Sequence, residues 1–168
     1  MFRLGIARNF LASALILLCY DGRYDFATDS KAVVERLARA WASFTLWCQA
    51  CGKSPASMRS FSREKLHYAT ASSYPFIGCR GSDTVLLLKY VRWYTLLLIQ
   101  GGTNTQVLRL LKKGCEQGLA FQAIHGHGLW LVPHCRDEIK LAAKGFCHTY
   151  SRLAARSYAS TDTVWFGS

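Results

Sequence analysis

The stretch SDTVLLLKYVRWYTLLLIQGG, residues 82–102, decides the fold class. Ser82 reads as the cap of a helix from Asp83 to Gln100, with Asp83 against the positive end of its dipole and Gly101-Gly102 as its stop. The apolar part, residues 85–99, falls short of the ~20 residues that a bilayer requires. Lys89 and Arg92 sit near its middle, where each charge would cost about 2.5–3.5 kcal/mol in lipid. The stretch therefore reads as a helix packed among other helices, with two cations reaching water.

Working outward, the neighbouring segments repeat this pattern. Residues 30–51 read as a helix capped by Asp29 or Ser30, with Val34, Leu37, Trp41, Phe44 and Cys48 on its apolar face and Gly52 as the left-handed stop. Thr103 and Gln106 read as a capping box for a helix to about residue 124. Its apolar face is Val107, Leu110, Leu111, Cys115 and Leu119, and Gly114 and Gly118, one turn apart, offer a flat patch to another helix. A last helix runs from Pro133 to about Tyr158. Near the N-terminus, Asn9 would cap an apolar helix over residues 10–20. No repeat and no hairpin signal interrupts the series. The expectation is an all-α protein: an irregular helical bundle of four long helices plus an apolar N-terminal helix, packed around Leu86, Leu87, Leu97, Leu111, Leu119 and Phe146. It forms one domain over residues 1–159, with a loose tail at 160–168. Residues 53–81 are its one long connection, and residues 61–70 within it suit a brief helix.

The chain has 168 residues, 51% of them hydrophobic, so it can bury a core without staples and is neither disordered nor collagen-like. Seven cysteines at scattered spacings do not form a disulfide framework, which points to an intracellular, reducing compartment. An alternative is that residues 10–20, preceded by Arg3 and Arg8, act as a membrane anchor or enter the secretory route. No small-x-small cleavage site follows them.

Charge is the strongest functional lead. Lys and Arg number 21 against 10 Asp and Glu, a formal charge of +11. In the last helix Arg136, Lys140, Lys144, His148, Arg152 and Arg156 recur every fourth residue, a ridge about 30 Å long that winds some 200° around the axis. Ile139, Ala143, Phe146, Tyr150 and Leu153 fall on the other side. Such a ridge suits a phosphate backbone or another acidic partner, although a solvated helix face carries charge for solubility alone. Arg109, Lys112 and Lys113, or Arg59, Arg63 and Lys65, would widen it.

A second constellation is Cys48-Gln49-Ala50-Cys51 with His125-Gly126-His127. Cys48, Cys51, His125 and His127 make a Cys2His2 set able to take zinc, the cofactor this set implies. The plainer reading packs the thiols in the core and uses 125–133 as a connection between helices, opened by Gly126 or Gly128 and closed by Pro133. Trp41, Trp93 and Trp130 likewise read as core rather than as stacking platforms for single strands. No nucleophile elbow, phosphate loop or H-E-x-x-H occurs, so catalysis is not indicated; His67, Cys79 or His125 with a distant carboxylate would be its only candidates.

From 61 to 156 the order of pieces (FSREKLHY at 61–68, GSDT at 81–84, HGLWLVP at 127–133, FCHTYSRLA at 146–154) resembles uncharacterised, multi-copy helical proteins from dinoflagellate genomes. The resemblance implies no function, cofactor or site. In those proteins the last helix leads to a basic Pro-Lys-x-His tract. The different tail here implies a truncated or alternative product, with Phe146 and Tyr150 short of cover. The function expected from all of this is a helical binding or scaffold protein with a basic surface that contacts nucleic acid or an acidic protein.

Overall fold

The computed structural model describes residues 5–28, 30–70, 73–124 and 133–159, which form five helices and, among the described residues, no strand. These are α1 (Ile6–Tyr20), α2 (Val33–Ala50), α3 (Gly81–Gln100), α4 (Gln106–Ile124) and α5 (Pro133–Ala159). The fold is all-α, as the periodicity predicts. The tail at 160–168 and the connection 125–132, with Trp130, lie outside the described residues.

The N-terminal helix is the centre of the molecule. Phe10, Leu11, Leu15, Ile16 and Leu18 of α1 are all fully buried. The Phe10 ring meets Phe146 of α5 edge-on at 5.3 Å, while Tyr20 at the far end packs edge-on against Tyr68 of the connection at 6.4 Å. Around α1, the most extensive helix interfaces are those of α4 with α3 and with α5. Among the described residues no helix is long and apolar enough to cross a membrane.

Helix ends follow glycine. In α1, α2 and α3 a glycine one residue beyond the cap takes a left-handed conformation: Gly22 at φ +66°, Gly52 at +62° and Gly102 at +93°. The next residue then donates back to a carbonyl three residues inside the helix, as Lys53 N–H does to Cys48 (2.8 Å) and Thr103 N–H to Leu98 (3.0 Å). This closure satisfies orphan carbonyls that a helix end otherwise leaves bare.

Helix starts differ from expectation. α1 begins at Ile6 beyond Gly5, so Asn9 lies inside the helix and caps nothing. α2 begins three residues after Ser30, whose hydroxyl instead accepts from Ala32 N–H at 3.2 Å; Asp29 lies outside the described residues. Thr105, not Thr103, caps α4, accepting from Leu108 N–H at 3.2 Å, because Thr103 is already committed to closing α3. α3 begins at Gly81 after Arg80, with no side-chain cap, so Ser82 lies inside the helix instead of capping it.

On α2 the predicted face holds, with Leu37, Phe44 and Cys48 buried and only Val34 turned outward, whereas the core face of α3 differs from expectation. Val34 is 64% exposed and Leu97 48% exposed, whereas Ala40, Leu88, Tyr90, Val91 and Tyr94 are buried. Leu86 and Leu119 are partly buried against the core. In α3 apolar residues surround the axis, so periodicity alone could not choose a face; Lys89 and Arg92 mark the outer one. Phe146 is fully buried and Tyr150 packs against the core, so neither lacks cover.

The long connection is core rather than spacer. Met58, Phe61, Leu66, Tyr68, Ile77 and Cys79 are buried, and residues 63–67 form turns instead of a helix, with His67 in the left-handed region at φ +46°. Asp83 ties this segment down. Its buried carboxylate, at the start of α3, accepts from Ala56 N–H (2.7 Å), Ser57 N–H (2.8 Å) and the Ser57 hydroxyl (2.5 Å). The same hydroxyl accepts from Arg80 N–H at 3.0 Å. Burial pushes the Asp83 carboxyl up, but the Ser57 hydroxyl and the N–H groups of Ala56, Ser57 and Met58 outweigh it and hold it below its ordinary value.

The flat patch on α4 is used as the glycines suggest. A Cβ at Gly114 would lie 2.6 Å from Phe10 Cζ, and one at Gly118 would lie 3.3 Å from Leu88. Gly145 of α5 faces the Gln117 side chain, which accepts from the Thr149 hydroxyl at 2.9 Å. These small residues let α4, α5 and α1 approach closely.

Two stability predictions follow from this packing. Gly114→Ala gains about 1 kcal/mol of helix propensity but forces Phe10 aside. The expected net loss is about 1–2 kcal/mol in a urea melt. Asp83→Asn weakens a buried charge-assisted network and is expected to cost about 3 kcal/mol at pH 7. Because the folded carboxyl lies below its ordinary 3.8, its contribution is complete above that value and is lost as pH falls through the lowered one. The gap between wild type and Asp83→Asn should therefore shrink steadily on acidification below pH 4.

Candidate functional site

α5 is the longest helix, 27 residues, and its two sides are distinct. Phe146, Thr149 and Leu153 are buried against α4 and α1. Arg136, Lys140, Lys144, His148, Arg152 and Arg156 are all exposed. From Arg136 to Arg156 the rise of 1.5 Å per residue spreads these cations over about 30 Å. Rigidity comes from the buried side, where glycine contacts and the Thr149–Gln117 hydrogen bond fix the rotation of α5 on α4.

The ridge is lightly neutralised. Lys140 lies 3.8 Å from Asp137 in a fully solvated pair, which contributes little. Among the described residues Arg136, Lys144 and Arg152 have no acidic group within salt-bridge distance. At the C-terminal end, the Arg156 guanidinium donates to the Gln106 side chain in the first turn of α4. Arg109, one turn further along α4, is exposed and donates to Asn104 at 2.8 Å, so it extends the ridge onto the neighbouring helix. Lys112 turns instead to Glu116 at 2.9 Å, and Arg92 joins the same carboxylate at 3.4 Å. Lys113 is exposed. In the connection, Arg63 donates to the carbonyls of Tyr68 and Ala69 and lies 5.5 Å over the Tyr68 ring, which is a packing role. Arg59 and Lys65 are exposed. Leu141, expected nowhere on the apolar face, stands 74% exposed beside Lys140 and Lys144.

The cysteine pair divides. Cys48 is buried on the core side of α2, whereas Cys51 is the exposed cap residue. Burial first, then the neighbouring Cys51 and Asp83, push the Cys48 thiol up, which disfavours the thiolate that a metal would need. His125 and His127 lie outside the described residues. Among the described residues no group of three or more His, Cys, Asp or Glu side chains could hold a metal ion.

The isolated catalytic candidates have packing roles. His67 stacks flat on Phe76, with ring centres 3.8 Å apart and planes 7° from parallel. Cys79 is buried with its sulfur 3.4 Å from the Thr84 hydroxyl, and burial is the main cause that pushes its thiol up. Trp41 packs against Phe44 and Phe61, in keeping with a core position, but Trp93 is 40% exposed, contrary to expectation. It lies on the outer face of α3 because Leu88, Val91 and Thr95 take the inner one.

No family model, no curated protein and no solved structure matches the chain at a significant level.

All seven cysteines are free, and exposure sorts them into two groups. Ellman's reagent is expected to modify Cys51 and Cys147 within the mixing phase. Cys19, whose thiol burial pushes up to about 12, should react with Cys48, Cys79, Cys115 and Cys135 only as the fold opens. Mass spectrometry of the early product checks the assignment.

Proposed function

We propose that this protein is a helical polyanion-binding module whose α5 ridge tracks a phosphate backbone, as nucleic acid would present. The carrying observation is that six basic side chains, Arg136 to Arg156, stand exposed along one rigid 27-residue helix while its other side is locked into the core. A rigid array loses less side-chain entropy on binding than a flexible basic tail, and each phosphate neutralised releases counterions. Beyond Lys140 the ridge carries Lys144, Arg152 and Arg156 with His148 between them, one residue per helical turn, and Arg109 continues it past the Arg156–Gln106 contact. Arginine and lysine here meet phosphate oxygens and sugars; among the described residues no element offers a set of side chains for reading base edges, so the binding is led by charge and spacing. Seven free thiols support a reducing compartment for this activity.

A salt titration tests this reading. Binding to duplex DNA, followed by fluorescence anisotropy from 50 to 300 mM salt, is expected to show log K falling linearly with log[salt]. The slope should be about −0.9 for each phosphate neutralised. Lys140→Gln, Lys144→Gln and Arg152→Gln together should flatten it by about 2–3 without changing the thermal melt. A slope near zero for the wild type, or an unchanged slope in the triple variant, rules the proposal out.

A further inference from the structure

The basic row on α5 is wound, and its winding limits what can lie along it. Each step of four residues turns about 40° around the axis while rising about 6 Å. Counted from Arg136, Lys140, Lys144, His148 and Arg152 stand at about 40°, 80°, 120° and 160°, and Arg156 at about 200°. All six are exposed. Arg136 and Arg156 thus point in nearly opposite directions. The shorter way between them is closed, because Leu153 and Phe146, at about 260° and 280°, are buried. A partner that meets both ends has to cross Lys144 and His148.

A straight, stiff partner cannot follow that course. A surface laid against a helix covers an arc of about 120°, so at about 40° per step it meets four members of the row at most. Duplex nucleic acid is such a partner, since its persistence length of about 500 Å exceeds the length of the row more than about tenfold. The position of α4 decides which flank a duplex would favour. It borders the row near Arg156, where Gln117 lies against Gly145, Arg156 donates to Gln106, and exposed Arg109 continues the cations. A duplex resting across α4 and α5 meets that end and leaves Arg136 on the far side. Carboxylates leave the course open. α5 carries only Asp137 and Glu138, and the Asp137–Lys140 pair at 3.8 Å is exposed and weak.

We infer that the ridge binds single-stranded nucleic acid, whose flexible backbone winds with the row from Arg136 to Arg156 and on to Arg109. The inference rests on the polyanion reading above and narrows it to one physical form of the partner. A flexible strand neutralises all five arginines and lysines of the row at once, whereas a duplex reaches three of them at most.

The test compares a labelled oligothymidine with a duplex of equal length, by fluorescence anisotropy on the full chain. The strand is expected to bind at least threefold more tightly at the same salt concentration. Arg136→Gln and Arg156→Gln, made separately, should each flatten its salt slope by about 0.7. The duplex slope should respond to at most one of the two, by about 0.9. Oligouridine run beside oligothymidine tells whether RNA or DNA is held more tightly, and either order agrees with a path led by phosphates. Tighter binding of the duplex, a strand slope that ignores either substitution, or a duplex slope flattened by both overturns the inference and leaves the polyanion reading in place. Failure of both the strand and the duplex to bind overturns the two together. Should Arg156→Gln disturb the Gln106 contact and lower the thermal melt, Arg152→Gln, about 160° from Arg136, takes its place.

Discussion

Everything in this fold answers to the burial of α1. A helix whose residues from Phe10 to Ile16 have no contact with water must be covered on every side. Two neighbouring helices cannot enclose it, since each covers only part of a helical cylinder. The chain therefore supplies α2 and α3 on one flank, α4 and α5 on another through Phe10, and the irregular segment around Leu66, Tyr68 and Ile77 for the remainder. Irregular backbone is acceptable there because its polar groups are satisfied. Asp83 gathers the N–H groups of Ala56 and Ser57, and Phe76 N–H donates to the Leu66 carbonyl at 3.1 Å. A carboxylate buried inside a shell of donors thus does for the loop what a hydrogen-bonded ladder does for a helix.

Surface chemistry follows from the same demand. With the apolar residues of α1 consuming the inner faces of its neighbours, cations are pushed outward, and on α5 they fall into one row. The aromatic side chains of α2 and α3 are more numerous than the core can enclose. Phe44 and Tyr90 go inside, while Trp93 remains at the surface beside a cleft that Trp47 also lines. One helix pair thus offers water a charged ridge, and another offers it rings.

Much of this was legible in the sequence, and the rest fails for identifiable reasons. Helix number and order follow from periodicity, and the stops follow from Gly52 and Gly101-Gly102, because left-handed backbone favours glycine strongly. Close approach at Gly114 and Gly118 also follows from residue size alone. Starts are less legible, since Ser30, Thr103 and Thr105 are all competent caps and only tertiary contacts choose among them. The core face of α3 is hidden by apolar residues around the whole axis, so Leu97 reads as buried when it is exposed. The partnership of Asp83 with Ser57 spans 26 residues and leaves no local trace. The basic ridge is legible because every member sits on one helix at one spacing; the aromatic cleft is not, because Arg23, Trp47 and Trp93 come from three separate segments.

The central position of α1 has a temporal side. A chain leaves the ribosome N-terminus first, so its greasiest helix is made before anything that covers it. Phe146 and Leu153, which help seal α1 and its neighbours, follow Tyr20 by more than a hundred residues. At ordinary elongation rates that interval is on the order of ten seconds, far longer than helix formation or collapse takes. During it α2, α3 and the segment around Leu66 can cover only part of α1, and the Phe10 side stays open until Phe146 is made. Productive folding of this molecule is to that extent a matter of timing as well as of affinity.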